Sequence, residues 1–388
     1  MTLGTAPTGA QQPLPNTFES PYSRISSYFG RVNYDFNRKF LASFSMRADR
    51  STKFNYENGL LYFPAGSVAY RFSNEKIFKN QKWLSDGKLR VGFGNAGNNR
   101  IDDLLYLQLY GVTVNNIAAQ YALNHAIVPG LQPSALANNS LKWESTESKN
   151  IGVDLGFFNN RIQLTVDAYQ NTGNNLLLAV AIPPTAGYSS QLQNVGSTSN
   201  RGVEVQINGD IIKKKNFTWN SSFNISANRN RVESPGGLTQ QTRNSGWQGS
   251  DGADDFLVKV GQPVGLMYGF VTDGWYKVDD FDYNATTKAY TLKAGVPSSA
   301  NIAGSIRPGS LKIKDIDGDG LITTDKDREV IGNAAPKFVG GWNNQFAYKG
   351  LDLSVFVNFV YGNNIRNYRF YVAKYRGVSH CGVAAKYR

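Results

Sequence analysis

IGVDLGFFNNRIQLTVDAY, residues 151–169, is the stretch whose reading decides the fold. Ile151, Val153, Leu155 and Phe157 alternate with Gly152, Asp154 and Gly156. After Asn159-Asn160 the alternation resumes, with Ile162, Leu164, Val166 and Ala168 set against Gln163, Thr165, Asp167 and Tyr169. Successive side chains of a strand point to opposite faces, so each half of this hairpin has one apolar and one polar face.

The same design recurs outward in both directions. Phe40, Ala42, Phe44, Met46 and Ala48 alternate with polar partners, as do Val203, Val205 and Ile207. Phe217, Trp219, Phe223 and Ile225 follow, and then Leu351, Leu353, Val355, Val357 and Phe359. No segment approaches the ~18 continuous apolar residues of a membrane helix, and helical periodicity is weak throughout. Strands are predicted near 25–36, 40–49, 61–73, 87–95, 144–157, 161–173, 199–212, 217–230, 336–348 and 351–362.

Their links fall into two classes. Asn37-Arg38-Lys39, Phe158-Asn159-Asn160, Lys213–Asn216 and Lys349-Gly350 are tight, and 74–86 is only somewhat longer. The intervening links, 50–60, 96–143, 174–198 and 231–335, are long. In a meander, alternate links lie at opposite ends, so short turns collect at one end and long loops at the other. Outer-membrane barrels show that asymmetry, with short periplasmic turns and long extracellular loops. Ile151, Val153, Leu164, Val166, Val203, Val205, Leu353 and Val355 are expected to face lipid, and Gln163, Glu204, Gln206 and Asp352 the other side. The fold class is therefore all-β, an antiparallel meander from a large outer-membrane barrel. The negative mean hydropathy excludes a helical membrane protein and not a barrel, half of whose strand residues face water.

A formal charge of +12 raises the question of nucleic acid. Lys and Arg are spread over turns, loops and polar strand faces, and no basic helix or zinc site organises them, so nucleic-acid binding is not expected. The single cysteine, Cys381, excludes an intramolecular disulfide framework.

The residues also carry a resemblance. SYFGRVNYDFNRKFLASFSMRADRSTKF (27–54), YFPAGSVAYRFSNE (62–75), KLRVGFGNAGNN (88–99) and LKWESTESKNIGVDLGFFNNRIQLTVDAYQNTGNNLLL (141–178) occur in family order. GYSSQLQNVGSTSNRGVEVQING (187–209), GQPVGLMYGFVTDGWY (261–276) and PGSLKIKDIDGDGLITTDKDREVIGNAAPKFVGGWNNQFAYKGLDLSVFVNF (308–359) continue the series. The chain resembles the barrel portion of the SusC/RagA-type TonB-linked outer-membrane transporters of Bacteroidota. The resemblance implies a barrel of about 22 strands around an N-terminal plug. It implies energising by the TonB complex through that plug and a SusD-like lipoprotein partner. It further implies a glycan or oligopeptide cargo, and residence in the bacterial outer membrane against its lipid. Residues 1–18 are expected to be a loop or strand remnant, 19–370 the barrel segment, and 371–388 an anomalous, disordered tail. MTLGTAPTGAQQPLPN lacks the apolar stretch of an export signal, and roughly ten strands do not close such a cylinder. The expectation is an internal barrel fragment that does not transport by itself. The alternative is a secreted β-rich carbohydrate-binding or adhesin module with a calcium loop, which requires the apolar strand faces to pack on one another. A passive pore is a further alternative.

The sharpest local motif is Asp315-Ile-Asp317-Gly-Asp319-Gly320-Leu321-Ile322-Thr323-Thr324-Asp325-Lys326-Asp327. Carboxylates at loop positions 1, 3 and 5 with glycine at 6 are how an EF-hand-type loop wraps a hard cation. Asp315, Asp317, Asp319, the Leu321 carbonyl and Asp325 are the candidate ligands for Ca²⁺, with Ile322 pinning the loop. Position 12 holds Lys326 in place of an acid, and Asp325 or Asp327 would compensate in a shifted register. The competing reading is an acidic turn neutralised by Lys312, Lys314, Lys326 or Arg328. No other cofactor is expected.

Weaker signals resolve against chemistry. Gly92-Phe-Gly94-Asn-Ala-Gly97 matches a dinucleotide fingerprint but leads into a loop and not a helix, so strand bending is the better reading. His125 and His380 form no catalytic set, and His380-Cys381 lies in the tail. Glu144 and Glu147 read as strand-end carboxylates and not as a glycosidase pair. No convergent acid, base or nucleophile is legible, and an enzyme is not expected. Trp83, Trp143, Trp219, Trp247, Trp275 and Trp342 suit interfacial girdles, while Trp247, Tyr268 and Trp275 in the long loops are candidates for stacking on sugar rings.

Overall fold

The computed structural model describes residues 23–365 apart from 79–80, 109, 113–119, 124–125, 130, 134, 184, 186 and 247–253. The readings for 1–18 and for the tail 371–388, with His125, Trp247, His380 and Cys381, lie outside the described residues.

Ten strands build the principal sheet: β1 Ile25–Phe36, β2 Phe40–Ser51, β3 Leu60–Tyr70, β4 Leu84–Asn98, β5 Glu144–Phe157, β6 Ile162–Ala181, β7 Ser190–Lys214, β8 Phe217–Pro235, β9 Phe338–Tyr348 and β10 Leu351–Tyr361. Their spatial order is their order in the chain, with β1 and β10 at the two ends. The tight turns use the left-handed backbone that hairpins of right-twisted strands require. Asn37 and Arg38 both have φ of 54°, and Lys349-Gly350 has 46° and 88°. Among the described residues no helix is long and apolar enough to cross a membrane.

The chain divides into two compact units, Met1–Asn160 with Asp167–Thr198, and Arg161–Val166 with Ser199–Arg388. In the first, the antiparallel register aligns the alternation of each strand with that of its neighbour. Tyr34, Ala42, Val68, Val91 and Ile151 are successive cross-strand partners, and so are Phe36, Phe40, Tyr70, Leu89 and Val153. One residue along, the opposite face reads Asn33, Ser43, Ser67, Gly92 and Asn150. Side chains of the apolar row stand bare: Tyr34 is 60%, Val68 57%, Val91 51% and Ile151 52% exposed. In the second unit Trp219, Phe346 and Leu353 form an apolar row, and Asn220, Gln345 and Ser354 the polar one. Phe356 and Val360 of the end strand β10 depart from this pattern, standing exposed on the polar-row side.

An adhesin-type sandwich would bury the apolar rows against each other. Their exposure instead demands an apolar surrounding, as a strand wall in lipid has.

The links depart from expectation in one way. Most of the predicted 174–198 loop is strand, because β6 continues to Ala181 and β7 begins at Ser190. These stretches lack the period of two: 174–181 reads NNLLLAVA, and Leu177 and Leu192 pack against the buried cluster of Phe54, Phe63, Leu141 and Trp143. The 236–337 link carries its own four-stranded sheet, Gln240–Arg243, Phe256–Lys259, Leu266–Phe270 and Arg328–Asn333. Beside it Phe270, Ile313 and Ile322 form a small buried core.

Candidate functional site

On the polar face of the first unit, a charged network spans β4, β5 and β6. Arg90 of β4 donates from Nε and Nη2 to the Asp154 carboxylate at 2.8 and 3.0 Å. Its Nη2 also reaches both Asp167 oxygens at 3.1 Å. Lys88 completes the set 2.9 Å from Asp154, and Asn150 Nδ2 donates to Asp167 at 3.2 Å. The centre of this network is Gly152, where a Cβ would lie 2.2 Å from Asp167 Oδ1 and 2.8 Å from Arg90 Nη2. Two bases and two acids cancel, so the cluster braces β4, β5 and β6 without leaving a net charge. The sequence reading missed it; the signal was present in the meander order, which sets Arg90, Asp154 and Asp167 on neighbouring strands with the same facing. Asn208, Gly209, Asp210, Asn220, Ser222 and Gln345 contribute to a shallow polar depression of about 250 Å³.

The acidic loop rises from the core of Phe270, Ile313 and Ile322, with Ile322 fully buried as the motif requires. Asp315 accepts from the Gly318 and Gly320 amides at 2.7 and 2.8 Å. Asp319 accepts from the Leu321 amide at 2.9 Å, and the Leu321 side chain is exposed. The structure brings Asp315, Asp317 and Asp327 together, one carboxylate oxygen of each lying within 4.8 Å of the others. Asp327, fully buried, is the one of the two compensating acids that lies beside Asp315 and Asp317. It accepts from the Ile316 and Thr323 amides at 2.8 Å each. Its own amide donates to the Thr323 carbonyl, and that single turn carries residue 327, not 325, beneath the loop. Asp325 contacts only its neighbour Thr324, at 3.4 Å, among the hydrogen bonds of the described residues.

Lys326 is the cation that the loop itself provides. Its Nζ lies 2.7 Å from Asp319 and 3.0 Å from Asp317. Asp319 is held below the usual carboxylate range, by the hydrogen bond from Lys326 first and by the Leu321 amide second. The two carboxylates raise the Lys326 ammonium above the usual lysine range, Asp319 foremost. Lys312 turns to Asp273 at 3.8 Å, and Arg328 to the Asp254 carbonyl at 2.9 Å.

The remaining sequence candidates take structural roles. Gly92, Gly94 and Gly97 lie within β4, and no phosphate-binding turn forms there. A Cβ at Gly97 would sit 2.2 Å from the Phe63 ring and 3.2 Å from Trp143. Glu144 joins strands, accepting from Asn98 Nδ2 at 2.6 Å and from the Leu177 amide at 2.8 Å. Glu147 pairs with Lys149 at 2.5 Å. Trp83 stacks on Phe157 at 6.0 Å beside a short turn. Trp143 is no girdle residue, being 4% exposed and packed with Phe54, Phe63 and Leu141. Tyr268 carries the Arg328 guanidinium 4.8 Å above its ring, whereas Trp275 is 47% exposed.

Bare apolar rows, polar rows behind them, tight turns and long structured links together define a stretch of outer-membrane β-barrel wall. The family model for the TonB dependent receptor-like beta-barrel matches residues 2–309. The chain belongs to that family of outer-membrane proteins. It is similar to the TonB-dependent receptor SusC of Bacteroides thetaiotaomicron, 40% identical over 210 residues, 54% of this chain and 21% of that protein. TonB-dependent receptor P3 of Formosa agariphila is 30% identical over 359 residues, 89% of this chain and 32% of the relative. The RagAB peptide transporter structure is 25% identical with a TM-score of 0.67, over 91% of this chain and 35% of that one. The chain thus spans about a third of the length of the P3 receptor and of the RagAB chain.

Proposed function

We propose that the protein carrying this chain imports a nutrient, a glycan or an oligopeptide, across the outer membrane. TonB drives the import, and a SusD-like surface lipoprotein assists it. The observation that carries the reading is the membership of a TonB-dependent receptor family together with 40% identity to a receptor named SusC. Likeness to the RagAB peptide transporter supports the oligopeptide option. The polar rows, rich in Asn, Gln and Ser, suit a hydrated conduit wall that hydrogen-bonds without binding tightly. We propose further that the segment alone is not transport-competent, since ten strands do not complete a cylinder of about 22.

Growth on single glycans or oligopeptides tests this, comparing a strain lacking the receptor gene, the same strain complemented, and a strain lacking TonB. The expected result is growth on one cargo class that requires both receptor and TonB and is not restored by residues 1–388 alone. Growth on every substrate without either protein would overturn the import reading, and rescue by the segment alone would overturn the second proposal.

Within this reading we propose that the acidic loop stiffens a long extracellular link. Asp315, Asp317 and Asp327 are its candidate calcium ligands. A calcium ion holds oxygens at about 2.3–2.6 Å, so facing ligands stand about 5 Å apart. The 4.8 Å spread of the three carboxylates is compatible with that. Lys326 competes for Asp317.

A further inference from the structure

We infer that residues 137–144, ANNSLKWE, form a hub that fixes the bases of several long links of the first unit as one body, and that Asn194 is the residue that holds it.

The hub segment up to Trp143 is neither strand nor helix, yet its backbone behaves as if it had a strand partner. Leu141 and Trp143 are buried, 0% and 4% exposed, while Lys142 between them faces outward. That alternation leaves the Lys142 amide and carbonyl needing partners, which backbone groups obtain from a ladder or a substitute. The Asn194 side chain is the substitute. Its Oδ1 accepts from the Lys142 amide at 2.9 Å, and its Nδ2 donates to the Lys142 carbonyl at 2.8 Å. The carboxamide therefore pairs with Lys142 as a second peptide group would. The other Nδ2 hydrogen serves the Asn175 carbonyl, also at 2.8 Å.

That third bond links the hub to an irregularity in β6. Asn175 has φ of 56°, a left-handed conformation inside a strand. Two residues on, the Leu177 amide donates to Glu144 Oε1. Both irregular groups of β6 are thus satisfied from the hub segment or from Asn194. Three further links reach other elements: Asn138 Nδ2 to the Leu192 carbonyl at 2.7 Å, Trp143 Nε1 to the Gly59 carbonyl at 2.9 Å, and Asn58 Nδ2 to the Asn139 carbonyl at 3.1 Å. The 52–59 link, the start of β5, the Asn175–Leu177 stretch of β6 and the start of β7 therefore meet on one segment. Asn194 is the only described side chain bonded to both the hub backbone and β6 through all of its carboxamide groups.

Asn194 acts through these links and is a positioning residue. The inference concerns the protein's own links and stands whether or not the import reading holds. Hydrogen exchange by mass spectrometry on the purified protein in detergent tests it, with wild type, Asn194→Ala, Asn194→Asp and Gln193→Ala. Asn194→Ala should speed exchange of peptides over 137–143 by about tenfold, the worth of about one buried hydrogen bond. Peptides over 52–59 and 174–181 should accelerate with it, while those over 351–361 stay unchanged. Asn194→Asp keeps the acceptor and loses both donors, so its effect should be intermediate, and it preserves the test if the alanine variant does not fold. Gln193→Ala should match wild type. Wild-type protection of 137–143 in both Asn194 variants, or acceleration confined to 137–143, would overturn the inference.

Discussion

A methyl group at position 152 has no room. It would enter the space between Asp167 Oδ1 and Arg90 Nη2, at 2.2 and 2.8 Å. Gly152 is required by neighbours on two other strands, and its own backbone does not need it. Gly152→Ala should push Arg90 away from Asp167 and cost about 1–3 kcal/mol, the usual scale of overpacking. Urea unfolding in detergent checks this, with Gly156→Ala as a comparison whose added Cβ would first meet Asn160 and Asp86, outside the network. An unchanged midpoint for Gly152→Ala would contradict the bracing role. Single residues were the least legible scale in the sequence. Gly152 and Asp154 stood out only as the polar half of an alternation, because a network among strands 4, 5 and 6 depends on register. Trp143 read as a girdle residue for the same reason: its burial comes from Phe54 and Phe63, distant in sequence.

At the scale of elements, the strands were legible and the wet ends were not. Alternation marks a strand only where its two faces meet different surroundings, so the non-alternating end of β6 and start of β7, where Leu177 and Leu192 meet a buried cluster, read as loop. The acidic loop was legible as a wrapped turn, down to the buried Ile322, while the sequence left Asp325 and Asp327 both open as the compensating acid and Asp327 is the one beside Asp315 and Asp317. Its charges give a pH signature. Asp319 is lowered, so its contribution is complete above the ordinary carboxylate pKa and lost as pH falls through its lowered value. Lys326 is raised, so its contribution is complete below the ordinary lysine pKa and lost only as pH rises through the raised value. Loop protection should be flat from about pH 5 to about pH 9 and fade below about pH 4. Lys326→Gln should move the acid limb upward, because Asp319 loses its main partner. The same variant frees Asp317 and should tighten calcium in a calorimetric titration, whereas Asp317→Ala should weaken it. Identical titrations for wild type, Lys326→Gln and Asp317→Ala would leave a turn neutralised by Lys326 alone.

For the whole molecule, strand order was legible, because a meander keeps sequence neighbours adjacent, and the alternation of Ile151 and Val153 reappears as apolar cross-strand rows in the first unit. Family motifs in order carried the identification further than periodicity alone could. What a barrel wall encloses is not written in its own strands. The central claim is the facing of the sheet: the row of Tyr34, Val68, Val91 and Ile151 meets lipid, and the row of Asn33, Ser67 and Asn150 does not. Nitroxide labels placed singly at 67, 68, 91 and 150, in a Cys381→Ser background reconstituted in bilayers, measure this directly. Labels at 68 and 91 should collide with lipid-dissolved oxygen, and labels at 67 and 150 with a water-soluble nickel complex. Equal access of nickel to all four positions, or the reverse pattern, would contradict it.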